Sequence, residues 1–504
     1  AANALRRGPE GHEGTGVKPL YDVIVVGAGP GGSSAATFTA KHGLSTLLVD
    51  RADFPRDKVC GDGLTPQALY WLDRLGCVEE VLGLTKSCIK TCDLFINGER
   101  VLSGGFPQHT FYPDFCILLD RRRFDHVLVK NAVASGAEFQ PHCAVRSVQA
   151  HPEHIEVVAD VGKERRVFKS RVVIGADGVS SVVSRSIGNV LNDGATAISL
   201  RTYYRNVRLD GAQIKVYFDS RFFPGYGWVF VDDEGFANIG LGYAFDKAFP
   251  MQAQLKRTFE VFLRDELGEL LADADRCGPV AGGVVAFYRP NAIVADRVML
   301  VGDAANQADP LNGGGIHKAM ESAYLAAESA VRAVASGDCS AQALRWYQDR
   351  WEAQYELDWQ TAELFLSIAK NPDLRDVCLF VLASIARLTT EDRQFQEFCS
   401  GIFSGVISQS SCLVPRALFD ALPRDPHSWA SLLKMDRLGL LRGPLAFLIE
   451  ASQVGAQASG RLIRSPWQSV DWGMEIATKF LRLVEGQLGG PMSARRPLAT
   501  TPVS

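Results

Sequence analysis

The feature that most constrains this chain lies near its start, in the segment YDVIVVGAGPGGSSAATFTAKHGLSTLLVD from Tyr21 to Asp50. Gly27, Gly29 and Gly32 stand as Gly-x-Gly-x-x-Gly between an apolar run and a stretch of small residues. In a strand–turn–helix unit the first glycine permits the tight turn, the second lets a pyrophosphate approach, and the third lets the helix pack on the strand. Asp50 closes the next apolar run, about 20 residues on, where a carboxylate binds a ribose hydroxyl. The segment therefore predicts a βαβ unit that binds a dinucleotide, with an ordinary glycine turn of another α/β fold as the alternative.

Later glycine–acid turns indicate which dinucleotide binds. In VGDAANQADPLNGGGIHKAM, Gly302 and Asp303 follow an apolar strand, and the glycines at 313–315 begin a long helix. A carboxylate at such a strand end can bind ribityl hydroxyls, and glycines at a helix start can lie against a flavin ring, where the helix dipole stabilises a reduced, anionic flavin. Asp177, in the GADG at 175–178, belongs to a further turn of this kind. Each turn alone is also typical of a plain strand end, but together they favour FAD over NAD.

These motifs resemble those of the glutathione-reductase-type flavoproteins, in the branch with aromatic hydroxylases, flavin halogenases and geranylgeranyl reductases. GAGPGGSSAA, LDRRRFDHVL, GADG and GDAANQADPLNGGGIHKAM carry the resemblance, which covers residues 20–335. It implies that Arg121 lies near the flavin or its phosphates, whereas a solvated helix start at Arg121–Arg123 is the alternative. The residues expected to bind FAD are Gly27, Gly29, Pro30, Gly31, Gly32, Asp50, Arg51, Cys60, Gly61, Arg121, Asp177, Gly302, Asp303, Pro310, Gly313, Gly314, Gly315 and Ile316.

A second segment, FPRDKVCGDGLTPQAL from Phe54 to Leu69, narrows the resemblance within that branch. It resembles the Phe-Pro-Arg-x-Lys-x-Cys-Gly segment of the geranylgeranyl reductase family, whereas halogenases have Gly-Glu-Ser in place of Cys-Gly-Asp. The resemblance implies that Cys60 lines the flavin pocket. Lys58 or the adjacent helix start would then lower the pKa of its thiol. The alternative is that Cys60 is a small buried packing residue.

A third segment, PGYGWVFVDDEGFANIGLGY, resembles the Tyr-x-Trp-x-Phe-Pro box of the reductases. Alternation along a strand places Tyr226, Trp228 and Phe230 on one face. There they form either a wall of an apolar cavity over the flavin or a ridge of the core. Val231 departs from the proline of the box, and the Trp-x-Trp-x-Ile-Pro box of halogenases is absent. Cys60, Tyr226 and Trp228 are the candidate catalytic residues.

The expected fold is α/β, with a Rossmann-type FAD-binding domain, an antiparallel-sheet substrate domain and a C-terminal helical region. The net charge of −4 gives no general attraction to nucleic acid, and no apolar run reaches the ~18 residues of a membrane span. No metal-ligand spacing emerges, and the eleven scattered cysteines predict free thiols. With no hydrophobic signal core at the start, the expected compartment is the cytoplasm. The expected boundaries are 1–20 for a disordered arm, 21–190 and 291–338 for the FAD-binding domain, 85–116 and 191–290 for the substrate domain, and 339–504 for the helical region.

The leading functional hypothesis is an FAD-dependent oxidoreductase that reduces carbon–carbon double bonds of an isoprenoid or similar apolar substrate. The alternative is an FAD-dependent monooxygenase that hydroxylates an aromatic or a carrier- or peptide-borne substrate, and a minor alternative is a non-catalytic flavin redox sensor or assembly factor. NAD(P)H or a separate flavin reductase would supply electrons. A carrier protein is a further candidate partner, and the amphipathic stretch at 440–450 is a candidate for contact with a membrane surface.

Overall fold

The computed structural model describes residues 20–108, 110–189, 196–244, 252–287, 292–371, 374–413, 474 and 476–479. The arm expected at 1–20 thus lies outside the described residues except for Leu20, and the stretch at 440–450 lies outside them entirely. Both sheets and helices are present, which confirms the predicted α/β class.

The strands and helices follow one another along the described ranges. The strands are β1 Leu20–Val26, β2 Thr46–Val49, β3 Gly63–Leu64, β4 Thr91–Ile96, β5 Glu99–Gly105, β6 Ile117–Leu118, β7 Glu138–Gln140, β8 Cys143–Ala150, β9 Ile155–Val161, β10 Glu164–Gly175, β11 Thr196–Arg205, β12 Gln213–Phe218, β13 Tyr226–Val231, β14 Ala237–Ala244, β15 Asp275–Arg276, β16 Ala281–Ala286, β17 Val294–Ala295 and β18 Val298–Leu300. The helices are α1 Pro30–Lys41, α2 Pro66–Leu75, α3 Val78–Leu82, α4 Arg121–Ala134, α5 Val182–Ser186, α6 Gln252–Asp265, α7 Ile316–Ser336, α8 Ala341–Ala369, α9 Arg375–Glu391 and α10 Arg393–Ser404.

The first sheet holds the dinucleotide motif at the carboxyl ends of its parallel strands. Its order is β17-β18-β10-β1-β2-β7, with β8 and β9 added antiparallel beyond β10. Strand β1 is flanked by β10 and β2, both parallel to it, so the turns that follow these three strands meet at one edge. The amide of Gly27 donates to the carbonyl of Val49, and the amide of Ala176 donates to that of Val26.

Helix α1 can reach this sheet because its first turns carry only small side chains. Gly31 to Thr39 are all buried, and α1 packs against α4 and α7 as well as the strands. A Cβ atom on Gly32 would lie 1.7 Å from the carbonyl oxygen of Gly27, so only glycine permits this approach. The third glycine of the motif therefore sets the distance between helix and strand.

The second sheet is antiparallel except where β12 pairs with β4. Its order is β15-β11-β14-β13-β12-β4-β5, with β16 also paired to β11. Strands β4 and β5 form a hairpin, and Asn97 and Gly98 adopt the positive φ angles of its turn, 48° and 82°. β4 joins β12 in parallel, so two segments that are inserted at different points between strands of the first sheet build one surface. Helix α6 covers the opposite face with Phe259 and Phe262, which are fully buried.

The C-terminal helices close two sides of this assembly. Helix α8 packs on α7, and its Trp351 and Tyr355 join the core of the first sheet. Helices α9 and α10 pack on β5 of the second sheet. Among the residues that the structure describes, no helix combines the length and apolar character needed to cross a bilayer.

The close contact at Gly32 yields a test of the fold. Gly32→Ala is expected to lower the free energy of unfolding by about 1 to 3 kcal/mol, because the new methyl must push helix α1 away from β1. Gly31→Ala is the matched control, since its Cβ would meet its nearest atoms at an ordinary 3.4 Å. Urea denaturation of both variants measures the difference. Equal stability of the two proteins would contradict the proposed packing.

Candidate functional site

The glycine turn after β1 leads into the N-terminus of helix α1. Gly27 has φ of +97°, and helix α1 begins after Gly29 without a side-chain cap. Among the residues that the structure describes, a Cβ placed on Gly29 would find one atom within 4 Å, Nη2 of Arg56 at 3.7 Å. An uncapped helix N-terminus with a guanidinium beside it suits a phosphate. These residues therefore fit the pyrophosphate of FAD, and Arg56 is a candidate phosphate ligand that the motif did not predict.

Asp50 lies at the end of β2 beside this turn. Its Oδ2 accepts from the amide of Ala28 at 2.7 Å, and its Oδ1 accepts from that of Ala52 at 2.8 Å. The carboxylate is thereby fixed next to the glycine turn, as a ribose-binding group must be. Its neighbour Arg51 is exposed, and its role in binding FAD stays a prediction.

Arg121, at the start of α4, is buried rather than solvated. Its Nε and Nη2 each donate to the carboxylate of Asp125 at 2.7 Å. Oδ2 of Asp125 also forms an ion pair with Nη1 of Arg56, at 2.9 Å. Burial alone would lower the pKa of Arg121, but the adjacent Asp125 carboxylate raises it above the usual value. The alternative of a solvated helix start is wrong for Arg121, although it describes the half-exposed Arg123.

Cys60 is not the activated thiol that the sequence suggested. Burial raises the pKa of its thiol, and the nearby Arg121 offsets this rise only in part. Lys58 does not serve the thiol, since its Nζ lies 3.4 Å from Oδ2 of Asp303. The expectation of a lowered pKa is therefore wrong, because desolvation outweighs the neighbouring positive charge. Cys60 keeps its proton at neutral pH.

The loop from Asp309 to Gly315 is held by a buried ion pair. Oδ2 of Asp309 lies 2.8 Å from Nζ of Lys318 on α7, and Gln409 donates to the same carboxylate at 2.9 Å. Burial would raise the pKa of Asp309, but Lys318 and the hydrogen bonds lower it to about 2. Gly313 has φ of +69°, and its amide donates to the carbonyl of Asp309. Helix α7 then begins without a side-chain cap, which suits the anionic edge of a flavin.

The three aromatic residues lie on one face of β13, as their alternation predicted. The ring centroids of Tyr226 and Trp228 are 6.1 Å apart, and those of Trp228 and Phe230 are 6.4 Å apart. Val231 points to the opposite face and is buried in the core beneath α6. Its difference from the proline of the box therefore leaves this aromatic ridge, Tyr226, Trp228 and Phe230, in place.

The aromatic ridge connects the two glycine segments that are expected to face the flavin. The hydroxyl of Tyr226 donates to the carbonyl of Asn312 at 2.6 Å and lies 3.0 Å from where a Cβ on Gly313 would stand. At the other end, Phe230 lies 2.9 Å from the corresponding point on Gly61. The ridge thus spans from the Cys60–Gly61 segment to the 309–315 loop. This placement puts the predicted catalytic residues Cys60, Tyr226 and Trp228 beside one another.

The remaining predicted ligands occupy different surroundings. Asp177 accepts from the hydroxyl of Ser181 and from the amides of Val182 and Val183, so its carboxylate caps helix α5. Pro310 is buried within the loop from Asp309 to Gly315, which we call the cofactor loop. Ile316, the next residue after this loop, is half-buried. For Asp177, Pro310 and Ile316, contact with FAD stays a prediction.

Sequence reasoning did not find a polar group beneath the Cys60–Gly61 segment. Asp62, Tyr203 and Asn238 are joined there by hydrogen bonds, and Asn238 also accepts from Nε1 of Trp228 at 2.9 Å. The signal in the sequence is CGDG, where an acid stands between two glycines.

A separate cluster brings together three groups of a kind that bind metal ions. His151, His154 and Glu156 lie close together around the turn between β8 and β9, although no metal-ligand spacing was recognised in the sequence. Glu156 is also paired with Lys169 at 3.0 Å, so an ammonium already occupies part of its carboxylate.

Comparisons with known proteins agree with this geometry. The family described as "FAD binding domain" matches residues 20–220, which confirms FAD as the cofactor. Digeranylgeranylglycerophospholipid reductase 1 of Methanopyrus kandleri is 32% identical over 376 residues, covering 73% of this chain and 95% of that protein. Digeranylgeranylglycerophospholipid reductase 2 of Methanococcoides burtonii is 33% identical over 349 residues, covering 67% and 81%.

Solved structures share the fold. A geranylgeranyl bacteriochlorophyll reductase-like protein from Thermoplasma acidophilum has a TM-score of 0.64 at 24% identity, covering 82% of this chain and 99% of its own. The p-nitrophenol 4-monooxygenase of Pseudomonas putida has a TM-score of 0.61 at 18% identity, covering 76% and 97%. At these identities the likeness concerns the fold alone.

The packing of the Trp228 ring against β14 can be tested by substituting two glycines of that strand. A Cβ on Gly240 would lie 2.0 Å from the Trp228 ring, whereas one on Gly242 would lie 3.8 Å away. Gly240→Ala is expected to displace the indole, to cost about 1 to 3 kcal/mol of stability and to perturb the absorbance spectrum of bound FAD. Gly242→Ala is the control and should leave both unchanged. An unaltered flavin spectrum in Gly240→Ala would remove Trp228 from the flavin's surroundings.

The ion pair beneath the cofactor loop predicts a pH-dependent loss of stability. Lys318→Met leaves the Asp309 carboxylate buried without its cation, so we expect a loss of about 3 to 5 kcal/mol at pH 7. The pKa of Asp309 then rises, and the loss shrinks as the pH falls and Asp309 takes up a proton. Urea denaturation at several pH values measures this trend.

The double variant Lys318→Met/Asp309→Asn is the control for that experiment, because it removes both charges. It should be more stable at pH 7 than Lys318→Met alone. A loss that does not vary with pH, or a double variant no better than the single one, would show that packing rather than charge holds the loop.

Proposed function

The chain belongs to the geranylgeranyl reductase family of FAD-dependent oxidoreductases, and on that premise we propose that it reduces carbon–carbon double bonds in the isoprenoid chain of a lipid-like substrate. The observation that carries the proposal is the 32% identity to a digeranylgeranylglycerophospholipid reductase across 95% of that protein's length. The similarity thus extends through the second sheet, where a substrate meets the flavin, and is not confined to the FAD motifs.

One face of the second sheet carries apolar side chains, and at its far end Leu94 and Phe218 pack in a cluster with Leu379 and Ala386 of α9. Trp228 pairs across the strands with Val216, and Val216 pairs with Leu94 on β4, so these side chains share one face. Phe218 lies beside Tyr226 on the same face, with ring centroids 6.1 Å apart. An aliphatic and aromatic face of this kind binds a prenyl chain by excluding water from it.

The chain's own residues position the cofactor and the substrate and hold the protons near the reacting atoms. Bound FAD, once reduced, supplies the electron pair and one hydrogen for each double bond. Gly61 and Gly313 let the backbone approach the ring, and Tyr226 and Trp228 align the alkene and exclude water. The thiol of Cys60, near Arg121, stays protonated. Cys60 therefore lines the pocket as a neutral thiol and not as a thiolate.

Other partners of this reaction remain proposals. Electrons come from NAD(P)H or from a separate flavin reductase. A polyprenyl lipid as substrate favours contact with a membrane surface, to which the amphipathic residues at 440–450 would contribute. Docking of a carrier protein belongs to the alternative hydroxylation activity.

The decisive test mixes chemically reduced, FAD-loaded protein with a geranylgeranyl lipid in the absence of oxygen. We expect the absorbance of oxidised flavin to return and the product to gain two hydrogens per reduced double bond. A squalane-like saturated lipid is the control and should leave the flavin reduced. Failure to react with the alkene, together with incorporation of isotopically labelled oxygen into an aromatic substrate under air, would replace this proposal with the monooxygenase. A flavin that no donor reduces would favour the non-catalytic alternative.

A further inference from the structure

Asp62 is a buried carboxyl with one oxygen bonded and the other not. The residue is 4% exposed, and its Oδ2 accepts from the hydroxyl of Tyr203 at 2.7 Å and from Nδ2 of Asn238 at 2.8 Å. Its Oδ1 is also buried, yet has no hydrogen-bond partner among the residues that the structure describes. A buried polar atom without a partner carries a cost of about 1 to 3 kcal/mol, so such an atom commonly awaits a ligand.

Asp62 directly follows the Cys60–Gly61 segment, which is expected to face the flavin. Tyr203, Asn238 and Phe230 pair across β11, β14 and β13, so they form one row on the face that carries the aromatic ridge. Asn238 also donates to the carbonyl of Cys60 at 2.7 Å, which clamps the Cys60–Gly61 segment onto this row. The backbone of Asp62 has φ of +65°, an uncommon angle for a residue other than glycine. The surrounding contacts therefore hold the carboxyl in a defined place.

The charges around Asp62 leave it without an ion-pair partner of its own. Arg201 of β11 is fully buried, but its Nη2 lies 2.8 Å from Asp57, and its guanidinium stacks over Tyr203 at 4.0 Å. Arg121 of α4 is likewise engaged by Asp125. The thiol of Cys60 and the hydroxyl of Tyr203 are further titratable groups near the carboxyl. Of the residues that the structure describes, β13 and β14 present the uncharged Trp228, Phe230 and Asn238 here.

Burial therefore dominates the acidity of this group. It raises the pKa of Asp62 to about 6, while the bonds from Tyr203 and Asn238 and the distant charges of Arg201 and Arg121 lower it less. Because both neighbours donate to Oδ2, a proton on the carboxyl resides on Oδ1. The neutral acid thus holds a buried hydroxyl that has no acceptor among the residues that the structure describes.

We propose that Asp62 is the proton donor for double-bond reduction, an inference that rests on the proposed function. The O–H bond at Oδ1 breaks, and a C–H bond forms at one alkene carbon while the reduced cofactor supplies the electron pair and the other hydrogen to the second carbon. The alkene is reduced by two electrons and the flavin is oxidised by two. The resulting carboxylate is stabilised by the hydroxyl of Tyr203 and the amide of Asn238, and it regains its proton from solvent.

Asp62→Asn tests the proposal, because it keeps the size of the side chain and removes the proton. We expect the rate of alkene reduction to fall by about 100-fold or more, the usual contribution of a general acid, with FAD binding unchanged. Asp160→Asn, on β9 of the first sheet and paired with Arg146 and Arg165, is the matched control and should react like the wild type. A rate for Asp62→Asn within about threefold of the wild type, or a loss that coincides with loss of FAD binding, overturns the proposal.

The pH profile separates an acid from a structural residue. The wild-type rate should fall as the pH rises above about 6, because only the protonated carboxyl can donate. Tyr203→Phe removes a hydrogen bond that stabilises the carboxylate, so it should move the falling limb to higher pH. An unmoved limb in Tyr203→Phe would contradict the assignment to Asp62.

Infrared difference spectroscopy provides a readout that does not need turnover. In the protein without substrate, a protonated carboxyl band should disappear as the pH is raised through about 6, and Asp62→Asn should lack that band. If the wild type reduces no alkene but shows the band, the proposed function fails, whereas Asp62 is still shown to be a protonated carboxyl. If the wild type reduces the alkene but the band is the same in Asp62→Asn, the function stands and Asp62 is not its proton donor.

Discussion

The ion pair between Asp309 and Lys318 is the contact on which the site depends most. Both side chains are fully buried, so neither charge can be exchanged for water. A buried charge is tolerated only where its partner and further hydrogen bonds fix its position. The pair ties the cofactor loop to helix α7, and Gln409 ties the same carboxylate to the C-terminal region. Through Asn312 the loop then receives the hydroxyl of Tyr226 from the second sheet. First sheet, second sheet and C-terminal helices thus converge on one loop.

The two faces of the second sheet differ in composition and in what they contact. Beneath α6 it carries an ordinary core, in which Val231 is packed. Its other face holds a polar corner, with Asp62 and Asn238, beside the aromatic ridge and an aliphatic surface that continues toward Leu94. An apolar chain held on such a face would lie between groups that exclude water and a group that can hold a proton. One end of this face is polar and the other is apolar. This difference is why the face suits alkene reduction.

Predictions from the sequence succeeded where one residue type had to satisfy one local geometry. Gly27 and Gly32 are required by a turn and by a close contact, so their spacing, together with the flanking apolar runs and Asp50, predicted the βαβ unit and dinucleotide binding. The alternation of Tyr226 and Trp228 predicted their common face in the same way. Predictions failed where the outcome depended on desolvation. The thiol of Cys60 was expected to be acidic from a nearby lysine, yet Lys58 binds Asp303 and burial raises the pKa of the thiol.

The sequence by itself determined the α/β class, the FAD motifs and the resemblance to the reductases, because these are encoded in short segments with fixed spacing. It could not show that Asp62 meets Tyr203 and Asn238, which lie 141 and 176 residues further along the chain. Only the tertiary structure decided that meeting, since register across three strands brings the partners into one row. It also decided which charges are neutralised by near neighbours and which carboxyl remains buried without a cation. Burial and pairing are properties of the folded chain, and they set the acidity of a group more strongly than its sequence neighbours do.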